Sequence, residues 1–460
     1  MVPDVLVIGG GIAGALAAAR AREKGAKVAL IAKVGGGTLL SSGAIDVADE
    51  LVGLVPGSAH DPFERGGSWR KAVDVMAARL PRHPYARAGT QGRGRVGEAI
   101  ALLQALAAGT GASTDSGPGS SANAGVELVE REDGGNHVVA TQLGTIKRTA
   151  LVQRSQLLDL AALDTDVVGI VEPQDLAGFS ARSTMHMLSW IIGLGGRRLQ
   201  LTPIVVERTL PGRELYSSAS DMARHLDHAP ARAAFCDALK TALRQQARSS
   251  SHLLLPPILG ADLPTLVHAD VEKAAGRTVR ELLASPPSAP GERLGRALIA
   301  GLRRRGVTVI EGAAIEATAQ DRRATSVIVE GPKLRVEIRP RTVVLAGGRF
   351  FSGGIVRDGT AREVLFGLPV VANGVVVGDR FIGDFTAQAP DGDHPIFRAG
   401  VAVDDAQRPL DAGGRVALEN VACAGSLVEG WDPARDGTAV GTSALSGFLA
   451  GERVASWVTA

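Results

Sequence analysis

Asp4 to Lys33 reads DVLVIGGGIAGALAAARAREKGAKVALIAK, and the fold class turns on this stretch. Val5-Leu6-Val7-Ile8 is a short unbroken apolar run, the pattern of a strand covered on both faces of a parallel sheet. It runs into Gly9-Gly10-Gly11-Ile12-Ala13-Gly14, a Gly-x-Gly-x-x-Gly, and then into an alanine-rich helix ending near Gly25. Val28-Ala29-Leu30-Ile31 is a second buried strand, which completes a βαβ unit. The glycine motif alone is a weak signal in a glycine-rich chain; its place between strand and helix gives it weight. Gly9 permits the tight turn, Gly11 lets the backbone approach a pyrophosphate, and Gly14 lets helix and strand pack closely. Free N–H groups and the positive end of the helix dipole then hold phosphate, so Gly9, Gly10, Gly11 and Gly14 are the candidate phosphate-binding residues. The acid expected about twenty residues further on is missing, and Lys33 stands there instead. A lysine cannot accept the ribose hydrogen bonds, so an adenosine half is bound differently or is absent.

The bulk composition narrows the function classes. At 460 residues the chain is long enough for two or three domains, and 45% of it is apolar. Its charges nearly cancel at +2, which argues against a nucleic-acid partner or an acidic tail. The cysteines, Cys236 and Cys423, number only two, too few for a Cys₄ zinc site or an iron–sulfur cluster. They read as buried reduced thiols of a cytoplasmic protein. The N-terminus opens directly into a strand, with no signal-peptide pattern, and no run approaches the roughly 18 to 20 apolar residues of a membrane span.

Along the chain, Gly35-Gly36-Gly37-Thr38-Leu39-Leu40-Ser41-Ser42-Gly43 clusters small residues just after the second strand, as backbone packed against a flat cofactor requires. Val96 to Ala108 reads as a helix, and Gly109 to Gly125 as a solvated low-complexity loop. A second α/β unit starts near Asp166, with strands at 167–171 and 199–206 and helical periodicity from Ser220, a plausible N-cap, to Ala247. Pro-rich Ser285 to Gly291 marks a boundary, Arg293 to Arg305 a helix, and Ser326 to Ile338 a pair of strands. Thr342-Val343-Val344-Leu345-Ala346-Gly347-Gly348 and Asn420 to Gly425 are strands ending in glycine, followed by a small-residue helix from Thr438. The expected architecture is an α/β Rossmann-like FAD/NAD(P)-binding flavoprotein fold of the two-dinucleotide-binding-domain type. Its flavin-binding domain spans 1–150 and 291–460, with an inserted α/β substrate or capping domain at 151–290.

Taken together, VIGGGIAG, SSGAID, HPY, LGTIKRT, LLPPILG, PPSAPGERL, VVLAGGRFFSGGI, REVLFGLPV, RAGVAVDDAQRPL and NVACAGSLVEGWDPARDGTAVGTSAL resemble one family along nearly the whole chain. It is the family of the B subunits of the anaerobic glycerol-3-phosphate dehydrogenases, within the fumarate reductase/succinate dehydrogenase flavoprotein superfamily. That family also carries a basic residue near Lys33. The resemblance implies flavin-dependent oxidation of sn-glycerol 3-phosphate to dihydroxyacetone phosphate. Electrons then pass through an iron–sulfur subunit to membrane quinone, with a sister flavoprotein subunit in the same complex. It further implies a cytoplasmic chain held at the inner membrane through a partner. The family is described as binding FMN, whereas Gly9 to Gly14 is the element that holds the diphosphate of FAD. Covalent relatives attach flavin to a histidine near Ser41–Gly43, and no histidine lies between Met1 and Ala59, so a non-covalent flavin is expected. The candidate flavin contacts are Lys33, Ser41, Ser42, Gly43, Ala346, Gly347, Gly348 and Gly425, besides the phosphate-loop glycines.

Oxidising a secondary alcohol requires a base for the hydroxyl proton, and a phosphate substrate requires arginine or lysine. Within the specific motifs the candidates are His83, Arg293, Arg357, Arg362, His394 and Asp432. Each has a structural reading too: turn histidines before prolines, surface arginine pairs, and an aspartate capping a turn. Arg293 is placed to open a helix beside an anion. Two other functions remain open, a flavin-binding electron-relay or assembly subunit and a stand-alone fumarate-reductase-like oxidoreductase on another substrate.

Overall fold

The computed structural model describes residues 2–32, 36–51, 61–64, 66–109, 125–209, 216, 218–246, 249–332, 334–378, 381–389 and 392–459. Fourteen elements position the site: β1 (Val5–Ile8), α1 (Ile12–Glu23), β2 (Val28–Ala32), α2 (Val96–Ala107), β3 (Val167–Pro173), α3 (Ala181–Leu194), β4 (Gln200–Val206), β5 (His252–Leu255), β6 (Thr278–Glu281), α4 (Ala289–Arg304), β7 (Thr308–Glu311), β8 (Thr342–Leu345), β9 (Val421–Cys423) and α5 (Ala439–Thr459).

The apolar runs read as buried strands form one parallel five-stranded sheet in the order β7-β2-β1-β8-β9. Val5 stands between Val28 and Thr342, and Val343 pairs with Val421, so β8, from the last third of the chain, flanks the first strand and β9 extends the sheet beyond it. Strand alternation sorts the apolar residues between two layers. Val5, Val7, Val28 and Leu30 face α1, α2, α4 and α5. Leu6, Ile8, Ala29 and Ile31 face an antiparallel meander, Ala313–Gln320, Arg323–Gly331 and Leu334–Ile338. The sequence reading has a pair of strands there. The first strand of the three was missed because it is largely exposed and lacks an apolar alternation.

Helices α1 and α5 run side by side at backbone contact. A Cβ on Gly447 would collide with the Ala13 carbonyl, and one on Gly451 with that of Ala17. The glycine and alanine content of both helices is thus a packing requirement.

The inserted unit is a second parallel sheet, in the order β6-β5-β3-β4, with its own core of Val171, Ile204, Leu253, Leu255 and Val279. The long helix expected from Ser220 is two helices, Ala219–Leu226 and Ala229–Gln246. The N-cap is Ser218, whose side chain accepts from the Asp221 amide, and Ser220 lies buried inside the first turn. The split follows from Asp227, whose carboxylate receives the amides of Ala261, Asp262 and Leu263 from a distant loop. No helix among the described residues is long and apolar enough to cross a membrane. The stretch 110–124 within the expected solvated loop lies outside the described residues.

Candidate functional site

The glycine turns singled out in the sequence come together at the carboxyl edge of the central sheet, where parallel α/β sheets bind ligands. Gly9 leaves β1 at φ 119°, in a region that L side chains avoid. A Cβ there would collide with the carbonyl of Ala346, which follows β8, and one on Gly14 would collide with the Gly9 carbonyl. Gly348 turns at φ 78° against Ser352, and Gly425, after β9, at φ 70° against Ala13. The Gly425 amide donates to Ser446 Oγ at 2.9 Å, tying this turn to α5. The 3₁₀ turn Gly36–Leu40 lies across the loop, with Gly36 against the backbone of Gly11. Lys33 and Gly35 lie outside the described residues.

Ser41, Ser42 and Gly43 are held from the inserted half of the chain. Gln156 Nε2 donates to the Ser42 carbonyl at 2.8 Å, and Gln153 Nε2, packed against Gly43, donates to the Pro290 carbonyl at 2.8 Å. Helix α4 begins four residues before Arg293, capped by Ser288, whose Oγ accepts from the Gly291 amide at 3.1 Å. Its first turn presses Gly291 onto the carbonyl oxygens of Thr38, Leu39 and Ser41, so this helix start is occupied by backbone. Arg293 therefore does not open a helix beside an anion. It lies one turn inside, 2% exposed, with Nη1 and Nη2 on the two oxygens of Glu281 at 2.7 and 2.9 Å and Nε on the Gly260 carbonyl at 2.6 Å. Ser155 Oγ and the Leu259 amide complete the shell of Glu281, each at 2.7 Å. Burial alone would raise the Glu281 carboxyl, but the charge and hydrogen bonds of Arg293 outweigh it and hold the group below the usual carboxylate range. The pair is a strut between the central and inserted sheets.

A polar cluster surrounds the head of α5. His83 caps the short helix Pro84–Arg87, its Nδ1 accepting from the Tyr85 amide at 3.1 Å. The ring proton must then sit on Nε2, which donates to Thr438 Oγ1 at 3.1 Å. Burial foremost, and then the charges of Arg398 and Arg87, pull its pKa down to about 3. The imidazole is thus neutral and fully enclosed. Asp432 caps a turn: its Oδ1 accepts from the amides of Ala434 and Arg435 at 3.0 and 3.1 Å. Sequence reasoning missed Arg349, directly after the Ala346–Gly348 turn. Its guanidinium donates to the carbonyls of Ser426, Val428, Trp431 and Phe397, and burial pulls its pKa down to about 10. Arg87 with Glu429, and Arg398 with Asp393, complete the cluster. His394 sits next to it, with Nδ1 accepting from the Ala387 amide at 3.1 Å and the ring 5.2 Å from that of Phe397. The structure thus brings His83, Asp432 and His394 to one region and leaves Arg293 at the domain junction. Arg362 is elsewhere, on the outer hairpin Ile355–Asp358/Thr360–Glu363, paired with Asp358 at 2.7 Å; Arg357 is on the same hairpin.

A family model described as an FAD binding domain matches residues 4–442. The chain belongs to this family, that of the fumarate reductase and succinate dehydrogenase flavoproteins. It is 29% identical to the B subunit of the anaerobic glycerol-3-phosphate dehydrogenase of Pectobacterium carotovorum, over 98% of each chain. A protein of Halobacterium salinarum, named as the probable B subunit of an anaerobic glycerol-3-phosphate dehydrogenase, is 27% identical over 98% of this chain and 97% of its own. Among solved structures, the open conformation of a flavocytochrome c3 fumarate reductase aligns with 100% of this chain and 79% of its own, at 12% identity and a TM-score of 0.42.

The residues of this FAD-binding family member fit a flavin phosphate, and Gly11 is the test. Its backbone, at φ −77° and ψ −177°, is open to any residue. Among the described residues a Cβ there would meet nothing closer than Thr38 Oγ1 at 3.8 Å. Among the described residues nothing requires glycine at this position, in contrast to Gly9 and Gly14. A bare Gly11 leaves room for a group at the first turn of α1, where the N-cap residue makes no side-chain hydrogen bond.

Proposed function

We propose that the chain is the flavin-binding B subunit of a quinone-linked glycerol-3-phosphate dehydrogenase, oxidising sn-glycerol 3-phosphate to dihydroxyacetone phosphate. The observation that carries this reading is a convergence. SSGAID, LLPPILG and PPSAPGERL are far apart in sequence, yet they meet at Ser42, Leu259 and Pro290 around the Glu281–Arg293 strut. Near full-length similarity to proteins of that name supports it.

In this reading Gly9 to Gly14 and the α1 amides hold the flavin phosphate by dipole and hydrogen bond. The turns at Ala346–Gly348 and Gly425, with Ser41–Gly43 held by Gln153 and Gln156, shape the space beyond it. A flavin held there without a covalent link would supply the acceptor for the two electrons that leave the substrate alcohol. Helix α5 starts about 12 Å, or eight residues, ahead of its contact with Ala13, so its positive end and Thr438 stand beyond the phosphate loop. Cys236 and Cys423 are both buried, so the cluster that carries electrons on belongs to an iron–sulfur partner, and the chain reaches the inner membrane through that complex.

One observation favours a relay or assembly role instead: His83, Arg293 and Asp432 have their hydrogen bonds met within the fold. Dye reduction by glycerol 3-phosphate, measured for this subunit and its sister flavoprotein alone and mixed, separates the two. Activity of this chain alone supports substrate chemistry here; activity of the sister alone, unchanged by mixing, assigns it there.

A further inference from the structure

Helix α3 carries two apolar faces, and among the described residues only one is buried. Ala181, Thr184, Leu188 and Ile192 are buried against the inserted sheet. Met187, Trp190 and Leu194, at i, i+3 and i+7, form a second stripe that is 45, 64 and 60% exposed. Partly buried Ile191 joins the two faces into one band. The stripe is extended by Leu143, 66% exposed, on a turn fixed to the helix. Thr184 Oγ1 donates to the Gln142 carbonyl at 2.8 Å, and Gly144 is bare because a Cβ would press on the Thr184 carbonyl and on Met187. The patch is therefore contiguous and preformed.

We propose that this face of α3 docks a partner subunit presenting an apolar ridge framed by carboxylates; the proposal rests on the multi-subunit reading above. Tryptophan and methionine are the side chains that anchor protein interfaces, and Ser183, in line with the stripe one turn ahead of Met187, leaves room for the ridge of a facing helix. The charge around the patch selects the partner. Between Asp175 and Glu207 the chain carries Arg182, His186, Arg197 and Arg198 and no acidic residue. Among the described residues the carboxylates that meet this span are Glu172, which accepts from the Ala181 amide at 2.7 Å, and Asp61, 3.9 Å from Arg197, so Arg182, His186 and Arg198 supply the positive rim. A two-fold contact with a second copy would set these arginines against each other. Three arginines also fall short of the roughly four to eight basic residues that hold a helix on an anionic bilayer. A polypeptide with acidic residues around an apolar ridge satisfies both parts of the face.

The test uses the full chain co-produced with the sister flavoprotein and iron–sulfur subunits, and compares it with Trp190→Ser/Leu194→Ser and with Arg182→Glu/Arg198→Glu. All four positions are at the surface, so flavin content and melting temperature serve as fold controls. Wild type is expected to co-elute with its partners in size-exclusion chromatography with light scattering. The apolar variant should elute at monomer mass, and the charge variant should dissociate at least ten times more readily. A variant that co-elutes like wild type overturns the docking surface while leaving the multi-subunit reading intact. Wild type that elutes alone overturns both. Self-association of wild type lost in the apolar variant, or its pelleting with phosphatidylglycerol vesicles, would assign the face to a second copy or to lipid and overturn the proposal.

Discussion

A Cβ at Gly9 or Gly14 collides with backbone, whereas among the described residues one at Gly11 meets only Thr38 Oγ1 at 3.8 Å, and this difference separates two reasons for being glycine. Gly14→Val is expected to destabilise the fold itself by about 3 kcal/mol or more, as overpacking against a carbonyl does. Gly11→Val should instead abolish flavin binding while shifting unfolding free energy of the flavin-free protein by less than about 1 kcal/mol. Flavin absorbance per protein and urea unfolding measure the two effects; unchanged flavin content in Gly11→Val contradicts the phosphate assignment. His83 makes a second prediction at this scale. Its folded pKa of about 3 lies below the ordinary 6.5, so the unfolded chain binds the proton more readily between those values. Its contribution is fully present above pH 6.5 and is lost as pH falls toward 3, amounting to about 3 kcal/mol by pH 4. His83→Gln should flatten that part of the stability profile; a slope parallel to wild type would contradict the buried neutral imidazole.

Among the elements, the Glu281–Arg293 strut and the exposed Arg362–Asp358 pair should differ sharply. Glu281→Gln leaves a buried guanidinium without its counter-charge and is expected to cost about 3 to 5 kcal/mol. Arg362→Ala removes a solvent-screened pair on an outer hairpin and should cost less than about 1 kcal/mol. Equal costs in thermal unfolding would refute this contrast. The same elements show what could be read beforehand. The strands β1, β2, β8 and β9 were legible because both faces are buried and the apolar runs are unbroken. The start of α4 was missed because its cap, Ser288, stands inside a proline-rich run that reads as a link. The helix from Ser218 was split by Asp227, whose partners at 261–263 are distant in sequence. Arg349 stands inside VVLAGGRFFSGGI, but nothing in that string marks its contacts, since what it recognises are main-chain carbonyls 48 to 82 positions away. Local periodicity records burial; it does not record which distant group a polar side chain meets.

For the molecule as a whole, two sheets are joined through a fully buried ion pair, and the loop at Thr38–Gly43 is gripped from both sides of that joint. If the flavin is held by shape and hydrogen bonds alone, as proposed, acid precipitation should release all of it, and the mass of the released molecule distinguishes FAD from FMN. Flavin retained in the pellet would contradict non-covalent binding. The most direct measurement is anaerobic addition of sn-glycerol 3-phosphate to the assembled complex, following the visible absorbance of the flavin. The complex containing the wild-type chain should bleach, and the complex assembled with Gly11→Val should lose the share of the bleaching that belongs to this subunit. Full and equally fast bleaching with Gly11→Val in place would contradict a substrate-reduced flavin held at Gly11.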